Sequence, residues 1–191
     1  MKNFSIIAFI LLLMACNSND GNDKKASVQG PLVQKVNSEI FNQSFAQLMT
    51  DYYHLKDNFI IELDTNINVY ARKLIKDADS LPVNQLNADT AIISTARSFA
   101  ESISAELNGM LKEKNLEAKR KSFQMTSTEL FDLIRAVKYD KEVIYLEHCP
   151  MAFNNDGADW LSNSSDIRNP YIPKKMLTCG EVKDSIDFRK K

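Results

Sequence analysis

The sequence predicts a mainly α protein: an up-down four-helix bundle followed by a C-terminal, loop-rich tail that holds one or two short strands. Three observations carry this expectation. Four stretches repeat apolar residues at three- and four-residue spacing, the mark of helices with one buried face. Only five glycines occur in 191 residues, and Gly21 and Gly30 fall before the body, so the Gly-rich turns that many strands would need are excluded. From Glu142 onward the period shortens to two, and this tail gathers two of the three cysteines, one of the two histidines and two of the seven methionines.

At the N-terminus, Lys2 precedes the apolar run Ile6 to Met14, which is long enough for the core of a signal peptide and too short to span a bilayer. The run ends in Leu13-Met14-Ala15-Cys16. A small residue directly before a cysteine resembles the lipobox at which bacterial lipoprotein signals are cut and the cysteine is acylated. Residues 1–15 are therefore expected to be a lipoprotein signal peptide and Cys16 the lipidation site. That would tether the mature chain in the cell envelope, on the periplasmic side or at the outer-membrane surface. Residues 16–36 run through the polar stretch Asn17 to Ser27, which buries too little apolar surface to offset its ordering entropy, and read as a flexible tether. Removing the leader leaves 23 basic residues (24 less Lys2) against 25 acidic ones. A chain so near neutrality has no basic patch for nucleic acid, and no second apolar run offers a membrane span. Residues 37–188 are the size of one domain with one core.

In the first helix Phe41, Phe45, Leu48, Tyr52 and Leu55 keep helical spacing, with Asn37 or Ser38 placed to cap it. Asn58 is expected to cap a second run, whose face is Ile60, Leu63, Ile67, Tyr70, Leu74 and Ala78. Ser80-Leu81-Pro82 ends it, since proline lacks the amide a helix interior uses and disfavours helical angles in the residue before it. Asn87 or Asp89 opens a third run striped by Ile92, Ala96, Phe99, Ile103, Leu107 and Met110. A break near Lys114-Asn115 leads to the fourth, Leu116 to Val137, with Phe123, Leu130, Leu133, Ile134 and Val137 facing in and Lys119-Arg120-Lys121 facing out. Links of about 3 to 10 residues favour antiparallel neighbours. Met49, Met110 and Met125 read as gap-filling core, and His54 as a partly exposed bundle histidine.

The tail opens with Val143 to His148, an alternating strand that leaves the last helix. It delivers Glu147-His148-Cys149-Pro150-Met151, where proline turns the backbone. Asn154-Asn155-Asp156-Gly157 is a turn by composition, Trp160 a plug sealing the tail to the bundle, and Arg168 a scaffold cation for Asp159 or Glu181. Met176 and Cys179 are three apart, so one turn aims both sulfurs at one point. His148, Cys149, Met151, Met176 and Cys179 form a soft or borderline donor set of the kind suited to copper(I).

The stretches His148 to Asn155, Gly157 to Ser162, Ile167 to Tyr171 and Met176 to Val182, with the Tyr-x-x-Leu-Lys-Asp pattern at Tyr52 to Asp57, resemble the domain-of-unknown-function family 3347. The resemblance covers roughly residues 38–188 and is strongest in the tail. It implies a helical domain found in lipoproteins and secreted proteins, and also fused to periplasmic adaptor subunits of heavy-metal efflux systems. It further implies a soft-metal site made of those same five residues, with efflux components as partners.

Two readings of the tail stay open. In one, Cys149 and Cys179 with help from Met151, Met176 or His148 capture copper(I) or another soft ion. In the other, the two cysteines form a disulfide closing a loop of about 30 residues, which stabilises by about 3 kcal/mol. Catalysis by Cys149 is disfavoured, because His148 is its strand neighbour and points to the opposite face. The chain also lacks zinc-finger and Cys-x-x-Cys spacings, a phosphate loop, a nucleophile elbow and a carboxylate pair on a helix face. The expected protein is not an enzyme.

Overall fold

Each amphipathic stretch becomes a helix. The computed structural model describes residues 37–189, so the expected signal peptide (1–15), the lipidation site Cys16 and the tether (16–36) lie outside the described residues. Helix α1 spans Glu39–Ile61, α2 Asp64–Asp79, α3 Thr90–Met110 and α4 Leu116–Val137. Side chains mark their starts: Ser38 Oγ accepts the Phe41 amide at 3.2 Å, and Asn115 Oδ1 accepts that of Ala118 at 2.8 Å. Asp89 takes the position before α3. Asn37 donates instead to the Val137 carbonyl at 2.8 Å, tying the start of α1 to the end of α4.

The predicted stripes are the core. Phe41, Phe45, Leu48, Tyr52 and Leu55 of α1 are buried, as are Ile67 and Leu74 of α2, Ile103 and Leu107 of α3, and Phe123, Leu130 and Ile134 of α4. Consecutive helices pack against each other. Tyr52 and Phe59 of α1 meet Phe123 of α4 with ring centroids 5.4 and 4.9 Å apart, which joins the first helix to the last. His54 is exposed and stacks on Tyr70 at 4.8 Å. Among the described residues no helix is long and apolar enough to cross a membrane.

Four expectations for the bundle need correction. Asn58 does not cap α2; it lies buried within α1, donating to the His54 carbonyl at 2.8 Å. The chain turns only at Glu62, which adopts the left-handed conformation (φ 55°) that commonly ends helices, and Leu63, expected to face inward, sits at this corner and is exposed. Met125 is exposed, being about 200° around the helix from the buried Phe123. Lys119 and Arg120 do not face out. Lys119 Nζ reaches Asp64 at 2.6 Å and Asn68 at 2.9 Å, and Arg120 is buried against Glu62 (3.0 Å) and the carbonyl of Pro170 (2.9 Å). Their acceptors come from parts of the chain 50 or more residues away, which helical periodicity does not register.

The tail carries three strands rather than one or two: β1 Ile144–Cys149, β2 Ala158–Ser162 and β3 Glu181–Ile186. They form an antiparallel sheet in the order β2-β1-β3. β3 escaped notice because it is exposed at every position before Ile186, so it shows no apolar alternation. The outer edge of β2 is covered by two tyrosines. The Leu161 amide donates to the Tyr52 hydroxyl at 2.9 Å, and the Tyr171 hydroxyl donates to the Asp159 carbonyl at 2.5 Å. Unpaired groups on a strand edge invite foreign pairing, and here they are spent on the bundle and its loop.

Candidate functional site

The end of β1 and the approach to β3 bring two sulfurs together. Cys149 closes the central strand, paired with Ala158 of β2, and is fully buried. Cys179 stands two residues before β3, partly exposed. Their Sγ atoms are 3.1 Å apart and both are free thiols. The hydrogen bond it shares with Cys149, with some burial, holds the Cys179 thiol above the ordinary cysteine range.

Local structure sets this approach. Between Cys149 and β2 the backbone is left-handed at Phe153, Asn154 and Asn155 (φ 52°, 62° and 76°), then at Gly157 (φ 82°). The Asn-rich composition of the predicted turn meets that requirement, since asparagine tolerates this region better than most residues. Phe153 packs on Tyr171 at 5.3 Å between ring centroids. On the other side, Asn169 is wholly buried and pins the returning loop. Its Nδ2 donates to the Cys179 carbonyl at 2.9 Å, while its Oδ1 accepts the amides of Tyr171 (2.8 Å) and Ile172 (3.2 Å). Gly180, at φ 143°, lets the chain pass the sheet: a Cβ there would lie 2.7 Å from the His148 carbonyl.

Of the other three expected ligands, His148 has a partner of its own. His148 Nδ1 contacts Asp159 Oδ1 at 2.5 Å across the strand pair, and Asp159 also holds Lys183 at 3.0 Å. Arg168 was expected to pair with Asp159 or Glu181, and Asp159 instead pairs with His148 and Lys183. Met151 and Met176 are 45 % and 38 % exposed. Among the described residues no group of three or more His, Cys, Asp or Glu is placed to hold a metal ion. Of the five candidates, Cys149 and Cys179 are in direct contact through their sulfurs.

Sequence reasoning missed Glu147. It lies on β1 opposite Trp160 and is fully buried. Burial pushes its carboxyl up to about 7, only partly opposed by the Lys56 ammonium and by a hydrogen bond with Trp160. Lys56, itself buried, reaches Ser162 at 3.5 Å, and burial holds it below the usual lysine range. The sequence signal was there to find: an acid two residues before Cys149, and so on the same face of an alternating strand.

A family model described as "Protein of unknown function (DUF3347)" matches residues 48–142. The match takes in most of α1, all of α2, α3 and α4, and stops before β1. The bundle rather than the cysteine-bearing tail therefore carries this similarity. No curated protein and no solved structure matches the chain significantly.

Proposed function

We propose, from the premise that the chain belongs to the DUF3347 family of proteins of unknown function, that it is a non-enzymatic domain of the cell envelope whose Cys149–Cys179 pair closes as a disulfide. The bundle is the body that presents surface to a partner, and the sulfur pair is the clasp that holds its tail in shape. One observation carries this reading: two free thiols 3.1 Å apart, contributed by segments 30 residues apart in the chain. A disulfide needs about 2 Å between sulfurs, so closure asks for roughly an ångström of movement. The leader and Cys16 support an oxidising compartment, where such pairs persist. The turning of His148 toward Asp159 speaks against its activating either sulfur as a catalytic nucleophile.

The reduced pair favours a second reading, capture of copper(I) by two thiolates, with Met151 or Met176 lending a thioether. Metal–sulfur bonds of about 2.3 Å would set the sulfurs roughly 3.8 Å apart at a tetrahedral angle and about 4.6 Å apart in line. The pair would have to open rather than close. In that case the resemblance to efflux-linked domains makes heavy-metal efflux components the partners, with the lipid on Cys16 as the membrane contact. Thiol counting on protein isolated from the envelope under acid quench decides between the readings. Zero free thiols at Cys149 and Cys179 supports the clasp. Two free thiols, with copper(I) bound more tightly than by a free thiol peptide and that affinity lost in Cys149→Ser, supports capture.

A further inference from the structure

The two sulfurs are not equivalent, and their surroundings fix an order of events. Cys149 has 0 % exposure, ends the central strand with β2 on one side and β3 on the other, and lies behind Cys179. Cys179 is partly exposed, in a loop segment beside Met176 and Leu177, which are 38 % and 39 % exposed. A thiol reagent arriving from solvent therefore reaches one sulfur and finds the other at 3.1 Å behind it.

We propose that Cys179 is the site at which low-molecular-weight thiols and disulfides attach, and that Cys149 is the resolving sulfur. The proposal rests on the reading that the pair closes. In oxidation, the Cys179 thiolate attacks one sulfur of a small-molecule disulfide RSSR; the Cys179–S–S–R bond forms and one RS⁻ leaves. The Cys149 thiolate then attacks Cys179 Sγ, forming the Cys149–Cys179 bond and expelling the second RS⁻. Two thiols of the protein are oxidised and one RSSR is reduced to two RSH. In reduction an external thiolate attacks Cys179 Sγ, because Cys149 Sγ offers no approach, and Cys149 departs as the thiolate.

Loop geometry favours this order. Asn169 holds the Cys179 carbonyl at 2.9 Å, and the Cys179 amide donates to Met176 at 3.1 Å. The outer sulfur is thus held over the inner one while its own outward side stays open. A substituent on the partly exposed Cys179 has solvent to extend into, whereas one on the wholly buried Cys149 would have to displace core side chains.

The test starts with reduced, full-length wild-type protein given less than one equivalent of iodoacetamide, quenched, and mapped peptide by peptide so that Cys16 is read separately. Label at Cys179 should exceed label at Cys149 at least tenfold; equal labelling, or more at Cys149, overturns the proposal. This readout does not depend on whether the pair ever closes, so loss of the clasp reading and loss of this one are told apart. In a second arm, Cys149→Ser treated with oxidised glutathione should accumulate one stable mixed disulfide on Cys179. Cys179→Ser should leave Cys149 unmodified until urea is added. Equal thiolation of the two variants in their folded state, verified by near-ultraviolet circular dichroism, refutes the assignment.

Discussion

Closing Cys149–Cys179 should raise the melting temperature by about 10 °C over the fully reduced protein. The pair spans 30 residues of chain, and a cross-link of that span removes between about 3 and 4 kcal/mol of loop entropy from the unfolded state. Little of this should be lost to native strain, because the ends of the loop are already gathered. Glu147 and His148 of β1 are in register with Val182 and Glu181 of β3, and Asn169 fixes the Cys179 carbonyl independently of the sulfurs. For a chain of 191 residues, each kcal/mol moves the midpoint by roughly 2 to 4 °C. The assay is calorimetric melting of the same preparation, oxidised with glutathione disulfide or reduced with a phosphine, and thiol counting confirms each state. Cys179→Ser serves as a control that should melt with the reduced form under both conditions. Oxidised and reduced wild type melting within about 2 °C of each other would refute the reasoning, since the entropy term does not depend on details of packing.

Tyr52→Phe removes the acceptor of the buried Leu161 amide and a 2.7 Å partner of Ser127; urea unfolding should show a loss of about 2 kcal/mol, the usual cost of orphaning a buried amide. Gly180→Ala forces a Cβ to within 2.7 Å of the His148 carbonyl at a backbone angle alanine disfavours; it should cost about 2 kcal/mol and slow disulfide closure, read by the rate of thiol loss in a glutathione buffer. Asp77 carries the clearest pH signature in the bundle. Burial first, and then the hydrogen bond and charge of Asp51, push its carboxyl up to about 6, against Lys76 and Lys73. An acid whose folded value lies above its unfolded one destabilises most at pH above 6, and the penalty fades as pH falls toward 4. Asp77→Asn should therefore melt a few degrees above wild type at pH 7.5, and the gap should shrink as pH falls through 6 and close only below about pH 4.

The four helices were legible because each buries one stripe at period 3.6, and a stripe such as Phe41 to Leu55 or Phe123 to Val137 leaves its trace in a single sequence. Cys149 and Cys179 were legible for a different reason: two cysteines in the tail of a chain whose N-terminus reads as an export signal invite pairing, whatever the fold between them. What resisted reading was long-range polar chemistry. Arg120 sits in a run of three cations that looks like a solvated face, yet it is buried because Phe59, Glu62 and Pro170 supply it with acceptors. Strand β3 resisted for the converse reason, since an exposed edge strand needs only backbone pairing with β1 and leaves its side chains polar.

These same polar ties decide what holds the sulfur pair in place. The tail has few large buried side chains of its own beyond Trp160, Leu161 and Tyr171, too few to order some forty residues against their conformational entropy. Its anchors come from the bundle: Tyr52 and Lys56 of α1 reach β2, and Arg120 of α4 binds the Pro170 carbonyl, one residue beyond the Asn169 that pins Cys179. Arg120 also takes Glu62 from the α1–α2 corner, where Lys174 of the tail joins it and drives that carboxyl below its usual range. The corner, the fourth helix and the loop before Cys179 are therefore one electrostatic unit. Arg120 and Glu62, both within the stretch the family model matches, thus help to hold the loop that carries Cys179. Loosening that unit at Arg120 should separate the thiols before it unfolds the helices.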